Sequence, residues 1–153
     1  MPGWKYLRKI ASFGASVSDM KDIYILFVRS LLEQSATVWH SSLSQQNISD
    51  LERVQKSAMK IILGNKYTGY KKSLLKLDIL SLSDRREQLC LQFALKCTRN
   101  PRTKHMFSEN MKIHEILTRK PQKYFVQHAN TTKLQNSSII YMQHLLNEHA
   151  KDI

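Results

Sequence analysis

The stretch from Ser44 to Gly64, SQQNISDLERVQKSAMKIILG, carries the clearest helical pattern in the chain. Its apolar positions are Ile48, Leu51, Val54, Ala58 and Ile61. Their spacing of three and four residues is typical of one face of an α-helix. Ser44 is suited to cap the start of this helix, and Gly64 is suited to end it. The stretch therefore predicts an amphipathic helix.

A second face of the same helix is basic. Arg53, Lys56 and Lys60 follow the same spacing and would form a ridge. Two interpretations stay open for this ridge. It is either a solvated helix face or a surface that follows a phosphate backbone.

Two helices are predicted before this stretch. A short basic helix over residues 5–13 ends at Gly14. Ser16 and Asp19 fit a capping box that starts the next helix, over about residues 17–36. Because residues 23–28 are apolar nearly all round, we expect this helix to be buried at the centre of the fold and to continue toward Trp39.

Two more helices follow at residues 70–77 and 84–99. Arg85 and Arg86 fall in the first turn of the second one, where positive charge opposes the helix dipole. That placement favours either an anion contact or a carboxylate partner. Lys71 and Lys72 add charge to the first turn of the preceding helix.

Composition supports a helical fold with two regions. The chain has 153 residues, of which only 4 are Gly and 3 are Pro, and this disfavours a loop-rich β fold. We predict an all-α protein, a small irregular bundle of about four to five helices over residues 5–100. Residues 101–153 are predicted to form a basic, largely irregular, poorly structured tail with a short helix at 138–149.

The formal net charge is +12, spread along the whole chain. A field of this sign favours polyanions, so nucleic acid is the expected partner. The apolar runs are too short to span a bilayer and no leader peptide is recognisable, so we expect an intracellular protein, in the nucleus or the cytoplasm, with no membrane partner. The two cysteines, Cys90 and Cys97, are predicted to be reduced and buried.

No motif for catalysis is recognisable. The chain has no paired Asp motif for two-metal nucleotidyl transfer, no glycine-rich phosphate loop and no CxxC pair. None of the 6 histidines lie three or four residues apart, the spacing of a helical metal site. We predict no catalytic residue, no metal, no cofactor and no small-molecule substrate.

Four segments together resemble a known family. They are FVRSLLEQSATVWHSSL at residues 27–43, LERVQKSAMKIILG at 51–64, LSLSDRREQLCLQFALKCTRNP at 80–101, and TRKPQKYFVQHANTTKLQNSSIIYMQHLLNEH at 118–149. Their order and spacing resemble the region that follows the palm in reverse transcriptases of non-LTR, jockey-like retrotransposons. The resemblance covers about residues 7–148 and includes the thumb and its C-terminal extension, but not the palm or its paired Asp motif.

The resemblance implies a thumb-like, all-α region that lies beside a primer–template and has no polymerase activity. Arg53, Lys56, Arg85 and Arg86 match positions of the family, which implies that the basic helix faces contact the backbone of RNA or of an RNA–DNA duplex. We predict the same contact for the other lysines of these faces, Lys60, Lys71 and Lys72. Trp39 would either stack on a base or pack in the core. Two alternatives remain: an inert or partly folded product of a decayed element, or an interaction module that docks a partner, such as an intact reverse transcriptase supplied in trans.

Overall fold

The computed structural model describes residues 3–110 and 122–150, with side chains from residue 5 onward. The helices in these ranges are α1 (Gly3–Ser12), α2 (Val17–Ile23), α3 (Ser30–Glu33), α4 (Ala36–Trp39), α5 (Gln45–Leu63), α6 (Tyr70–Leu77), α7 (Leu82–Arg99), α8 (Thr132–Gln135) and α9 (Ser138–His149). A π-helix, Tyr24–Arg29, joins α2 to α3. Short 3-10 turns follow at His40–Ser42, Gly64–Lys66 and Lys104–Phe107.

Within the described ranges there is no β-strand, and a single isolated bridge pairs Glu109 with Tyr124. The predicted all-α class is therefore confirmed. The chain divides into two compact units. The first consists of Met1–Ser35 and Leu43–Arg85, and the second of Ala36–Ser42 and Arg86–Ile153.

Three predicted helix ends are confirmed with their local chemistry. The side chain of Ser16 accepts a hydrogen bond from the Asp19 amide at 3.1 Å. The Asp19 carboxylate in turn accepts one from the Ser16 amide at 3.3 Å, so the capping box is complete. The side chain of Ser44 accepts from the amide of Asn47 at 3.2 Å and starts α5. Gly64, at φ +50°, ends α5 in a conformation that side chains disfavour.

The helix predicted over residues 17–36 is confirmed as far as Glu33, but the prediction that it is buried is wrong. Leu26 and Phe27 of the π-helix and Leu31 of α3 are 64%, 67% and 71% exposed. The helix then ends at Glu33, and Ser35 adopts φ +54°, so the chain does not continue as one helix toward Trp39.

The core of the first unit is organised by α5. Its buried apolar members are Leu7, Met20, Tyr24, Ala58, Met59, Ile62, Leu63, Leu77 and Ile79. Burying a side chain of the size of Leu or Met contributes roughly 1.5–3 kcal/mol. The half of α5 from Gln55 to Leu63 supplies the buried residues, so the opposite face of that half points away from the core.

The second unit has a core of its own. Its buried members are Cys90, Ala94, Cys97, Phe107, Tyr124, Met142, Leu145 and Leu146. Helix α9 matches the helix predicted at 138–149. The expected boundary near residue 100 is not where the contacts divide, because residues on both sides of it share this core.

The irregular segments of the second unit are held by two buried amide side chains. Asn147 Oδ1 accepts from the Tyr124 amide at 2.8 Å, and its Nδ2 donates to the Tyr124 carbonyl at 3.0 Å. Gln143 Nε2 donates to the Met106 carbonyl at 2.8 Å, and its Oε1 accepts from the Gln127 amide at 3.2 Å. These bonds satisfy backbone groups that lack a helix, so irregular chain can be packed. Part of the predicted tail, residues 111–121, lies outside the described residues.

Across residues 3–110 and 122–150, no helix combines the length and the apolar composition that crossing a bilayer requires.

Candidate nucleic-acid interface

Helix α5 presents a row of exposed cations from the first unit. Arg53, Lys56 and Lys60 are all exposed. At 1.5 Å of rise per residue, the row is roughly 10 Å long. Because the opposite side of α5 is anchored in the core, the row is presented by a fixed helix.

Two lysines of this row lie over aromatic rings. Lys56 Nζ is 5.8 Å from the centre of the Tyr70 ring, and Lys60 Nζ is 5.7 Å from that of Tyr67. Within the described residues, no carboxylate lies within the 4.0 Å ion-pair distance of either ammonium group. These contacts hold the lysines in place without neutralising them.

Arg53 is partly neutralised by a neighbour. Its Nη1 atom lies 3.1 Å from Asp50 Oδ1, three residues earlier on α5. The pair is exposed, with 69% and 48% of the side chains accessible. Exposed pairs of this kind contribute little to stability, so Arg53 remains free to turn toward a second anion.

A groove runs between α1 and α5 within the first unit, with a volume of about 590 Å³. It is lined by Arg8, Asp50, Arg53, Val54, Ser57, Lys60 and Ile61. Arg8 was missed as a site residue by the sequence reasoning. The available signal was the basic helix at 5–13, whose neighbour Leu7 is buried against the core and so turns Arg8 to its flank.

Lys71 and Lys72 are exposed in the first turn of α6. The start of α6 is fixed by Tyr70, whose hydroxyl shares its single proton between Glu52 and Gln55 Oε1, the latter at 2.8 Å. Burial and the Glu52 hydrogen bond raise the pKa of Tyr70, so it stays protonated as a donor. Both lysines are therefore displayed by a well-anchored turn of the first unit.

Arg85 has a carboxylate partner within the first unit. Its Nε atom lies 3.4 Å from Glu33 Oε1, and the same oxygen lies 3.2 Å from Arg29 Nε. Of the two predicted roles, the structure provides the carboxylate partner. Arg85 is half-buried and is not part of the exposed row on α5.

Arg86 does not lie on a surface at all, which corrects its placement among the predicted backbone contacts. It is fully buried in the second unit, where its Nε–H donates to His40 Nδ1 at 3.4 Å. Its guanidinium carbon lies 5.9 Å from the centre of the Trp39 ring. A helix pattern alone could not distinguish Arg86 from Arg85, because they are adjacent in sequence and enter different units.

The neighbourhood of Arg86 is built around a neutral histidine. His40 is 8% exposed, and the ring of Tyr141 meets it edge-on at 5.4 Å. Burial and the nearby positive charge of Arg86 lower the pKa of His40. Trp39 is half-buried beside Arg86, so this cluster packs the second unit.

Within the described residues, no group of three or more His, Cys, Asp and Glu side chains is arranged to share a metal ion. The geometry of the first unit instead offers cations beside a groove. Such an arrangement attracts anions electrostatically and positions them by hydrogen bonds.

The chain matches no protein-family model, no curated protein and no solved structure.

Proposed function

We propose that this protein is a catalytically inactive module that binds the phosphate backbone of RNA or of an RNA–DNA primer–template. In this proposal it resembles the post-palm region of a non-LTR retrotransposon reverse transcriptase. The binding surface comprises the exposed row of α5 together with Lys71 and Lys72 of α6.

One observation carries the proposal. Lys56 and Lys60 are exposed, held over aromatic rings, and beyond ion-pair distance of every described carboxylate. Uncompensated lysines in a row repel each other, which slightly disfavours the fold unless an anion binds. The net charge of +12 adds long-range attraction for any polyanion.

The test is fluorescence anisotropy with a labelled RNA–DNA primer–template, scanned across salt. We expect the logarithm of the affinity to fall linearly with the logarithm of the salt concentration. The double variant Lys56→Gln/Lys60→Gln should reduce the magnitude of that slope by about 1.4–1.8, since each lost phosphate contact removes about 0.7–0.9.

A matched control removes the same charge elsewhere. Lys96 and Lys104 are exposed in the second unit, and Lys96→Gln/Lys104→Gln should leave the slope nearly unchanged. If both double variants shift the slope equally, net charge and not the row on α5 is responsible. Absence of binding at low salt by folded protein would reject the proposal.

A second candidate function is favoured by the exposed apolar residues Leu26, Phe27 and Leu31. Exposed apolar side chains of this kind suit an interaction module, and its partner would be an intact reverse transcriptase supplied in trans. Co-purification of such an enzyme with the native protein but not with Phe27→Ser would support it. Equal recovery with both, or none with either, would reject it.

A further inference from the structure

The groove between α1 and α5 combines three kinds of lining. Arg8, Arg53 and Lys60 supply positive charge, and Val54 and Ile61 are half-buried apolar residues. The carboxylate of Asp50 supplies a hydrogen-bond acceptor. Apolar side chains do not bind phosphate, and a carboxylate repels it, so phosphate alone does not match this lining.

The size of the groove suits one small organic group. Its volume of about 590 Å³ falls in the usual range of ligand pockets, roughly 300–1,000 Å³. Val54 and Ile61 lie on the same side of α5, two turns apart, and offer an apolar surface to one face of a planar ring. The surrounding cations are placed for the phosphate attached to that ring.

Asp50 adds a polar contact of defined chemistry. Its Oδ1 atom accepts from Gln46 Nε2 at 3.1 Å and lies 3.1 Å from Arg53 Nη1. A carboxylate can accept more than two hydrogen bonds. The exocyclic amino groups of nucleic-acid bases are donors that match such an acceptor.

We propose that this groove holds one unpaired nucleotide, with its base against Val54 and Ile61 and its phosphate among Arg8, Arg53 and Lys60. The inference rests on the proposed nucleic-acid binding and specifies its substrate class. The bases of a duplex are stacked and paired, so they cannot enter the groove, whereas the row of lysines contacts the backbone of either form. The protein therefore prefers nucleic acid with a single-stranded segment.

The first experiment compares two ligands on the native full chain. One is a blunt RNA–DNA duplex, and the other is the same duplex with a short single-stranded template overhang. We expect the overhang to raise the affinity by about tenfold, the effect of one well-placed base contact. Equal affinities would overturn the groove inference while leaving backbone binding intact.

The second experiment fills the groove without changing charge. Ser57 lines the groove, and its hydroxyl only donates to the Arg53 carbonyl at 2.9 Å, so Ser57→Phe should fold normally. Ser49→Phe is the matched control, because Ser49 is exposed on α5 and does not line the groove. Ser57→Phe should abolish the preference for the overhang and keep the affinity for the blunt duplex, whereas Ser49→Phe should preserve both.

Competition identifies what the groove recognises. AMP should displace the overhang ligand toward the affinity of the blunt duplex, and inorganic phosphate at equal ionic strength should not. If phosphate competes as well as AMP, or if Ser49→Phe behaves like Ser57→Phe, the inference is overturned. If neither nucleic acid binds to folded protein, the proposed function fails together with it.

Discussion

Gln55 of α5 caps the first turn of α7: its Oε1 atom accepts a hydrogen bond from the backbone amide of Leu82 at 2.8 Å. The same oxygen accepts from the Tyr70 hydroxyl, and Gln55 Nε2 donates to the Leu80 carbonyl at 2.9 Å. Within the first unit, one fully buried side chain thus ties α5 to Tyr70 of α6 and to Leu82 at the start of α7. The helix that carries the basic row is the one that organises these contacts.

Replacement of Gln55 by Leu should destabilise the first unit. It leaves the buried Leu82 amide without its partner, which costs about 1–3 kcal/mol, and it also removes the part-buried bond to the Leu80 carbonyl. Urea unfolding measures the change. Gln46→Leu is the control, because Gln46 is exposed on the same helix and should change stability by less than about 0.5 kcal/mol. Similar losses for both variants would contradict the capping role.

Replacement of Arg86 by Lys should reduce stability and leave nucleic-acid affinity unchanged. Lysine cannot reproduce both the bond to His40 and the cation–π contact with Trp39, so we expect a loss of about 1–3 kcal/mol. Chemical denaturation and anisotropy of the folded variant separate the two effects. The exposed Arg102, changed to Lys, is the control for stability. A loss of nucleic-acid affinity by folded Arg86→Lys would indicate that Arg86 contributes to binding.

The second unit should lose stability in mild acid. Because the pKa of His40 is lowered from 6.5 in the folded protein, the unfolded chain takes up a proton first as pH falls. The stability that neutral His40 contributes is fully present above pH 6.5, the ordinary pKa of the imidazole. It declines as the pH falls from 6.5 toward the lower pKa of His40 in the folded protein. Imidazole NMR titration and urea unfolding at about pH 7.5 and about pH 5 measure it.

His40→Gln should abolish this acid-sensitive step, because the side chain that titrates is gone. His105→Gln, at an exposed position, should retain it. Arg86 is the charged group that faces His40 and opposes its protonation. If the free energy of unfolding of His40→Gln still falls between about pH 7.5 and about pH 5 as in the native protein, another group causes the acid sensitivity.

Arg85 should matter less for binding than its charge suggests. It is half-buried and its Nε lies 3.4 Å from Glu33, whereas Lys71 and Lys72 are exposed. Lys71→Gln/Lys72→Gln should reduce the magnitude of the salt slope by about 1.4–1.8, and Arg85→Gln should leave it unchanged within error. Anisotropy across salt measures both. The reverse ranking would place the nucleic acid beside α7.

Phe27 should be replaceable without loss of fold. Its side chain is 67% exposed, so Phe27→Ser should change the free energy of unfolding, measured in urea, by less than about 0.5 kcal/mol. The buried Tyr24, changed to Ser, is the contrasting variant and should destabilise strongly. A large stability loss in Phe27→Ser would show that the face is covered in solution.

The parts of the fold that sequence predicted are those fixed by neighbours along the chain. Caps at Ser16 and Ser44, the stop at Gly64 and helix α9 all depend on residues a few positions apart. The π-helix is different, because nothing in YILFVR distinguishes one wide turn from a normal one. Whether residues 24–29 form wide turns or normal ones depends on which of their side chains can be packed into the core of the first unit.

The residues of the candidate site also divide into those that helix spacing predicts and those that only the fold brings together. The exposure of Lys56 and Lys60 follows from their spacing on an amphipathic helix, which a sequence displays directly. The burial of Arg86 depends on Trp39 and His40, which lie more than forty positions earlier and are brought to it only by the fold. Likewise the groove needs Arg8 from another helix, and no spacing rule links residue 8 to residue 53.

Both cysteines of the chain, Cys90 and Cys97, lie in the core of the second unit. Burial raises the pKa of the Cys90 thiol to about 11, so near neutral pH it is neither accessible nor ionised while that core is closed. A thiol-specific reagent can therefore react only when the second unit opens, and the first unit contributes no signal. The rate of labelling therefore reports how often the core of the second unit opens, and the native chain needs no introduced cysteine for this measurement.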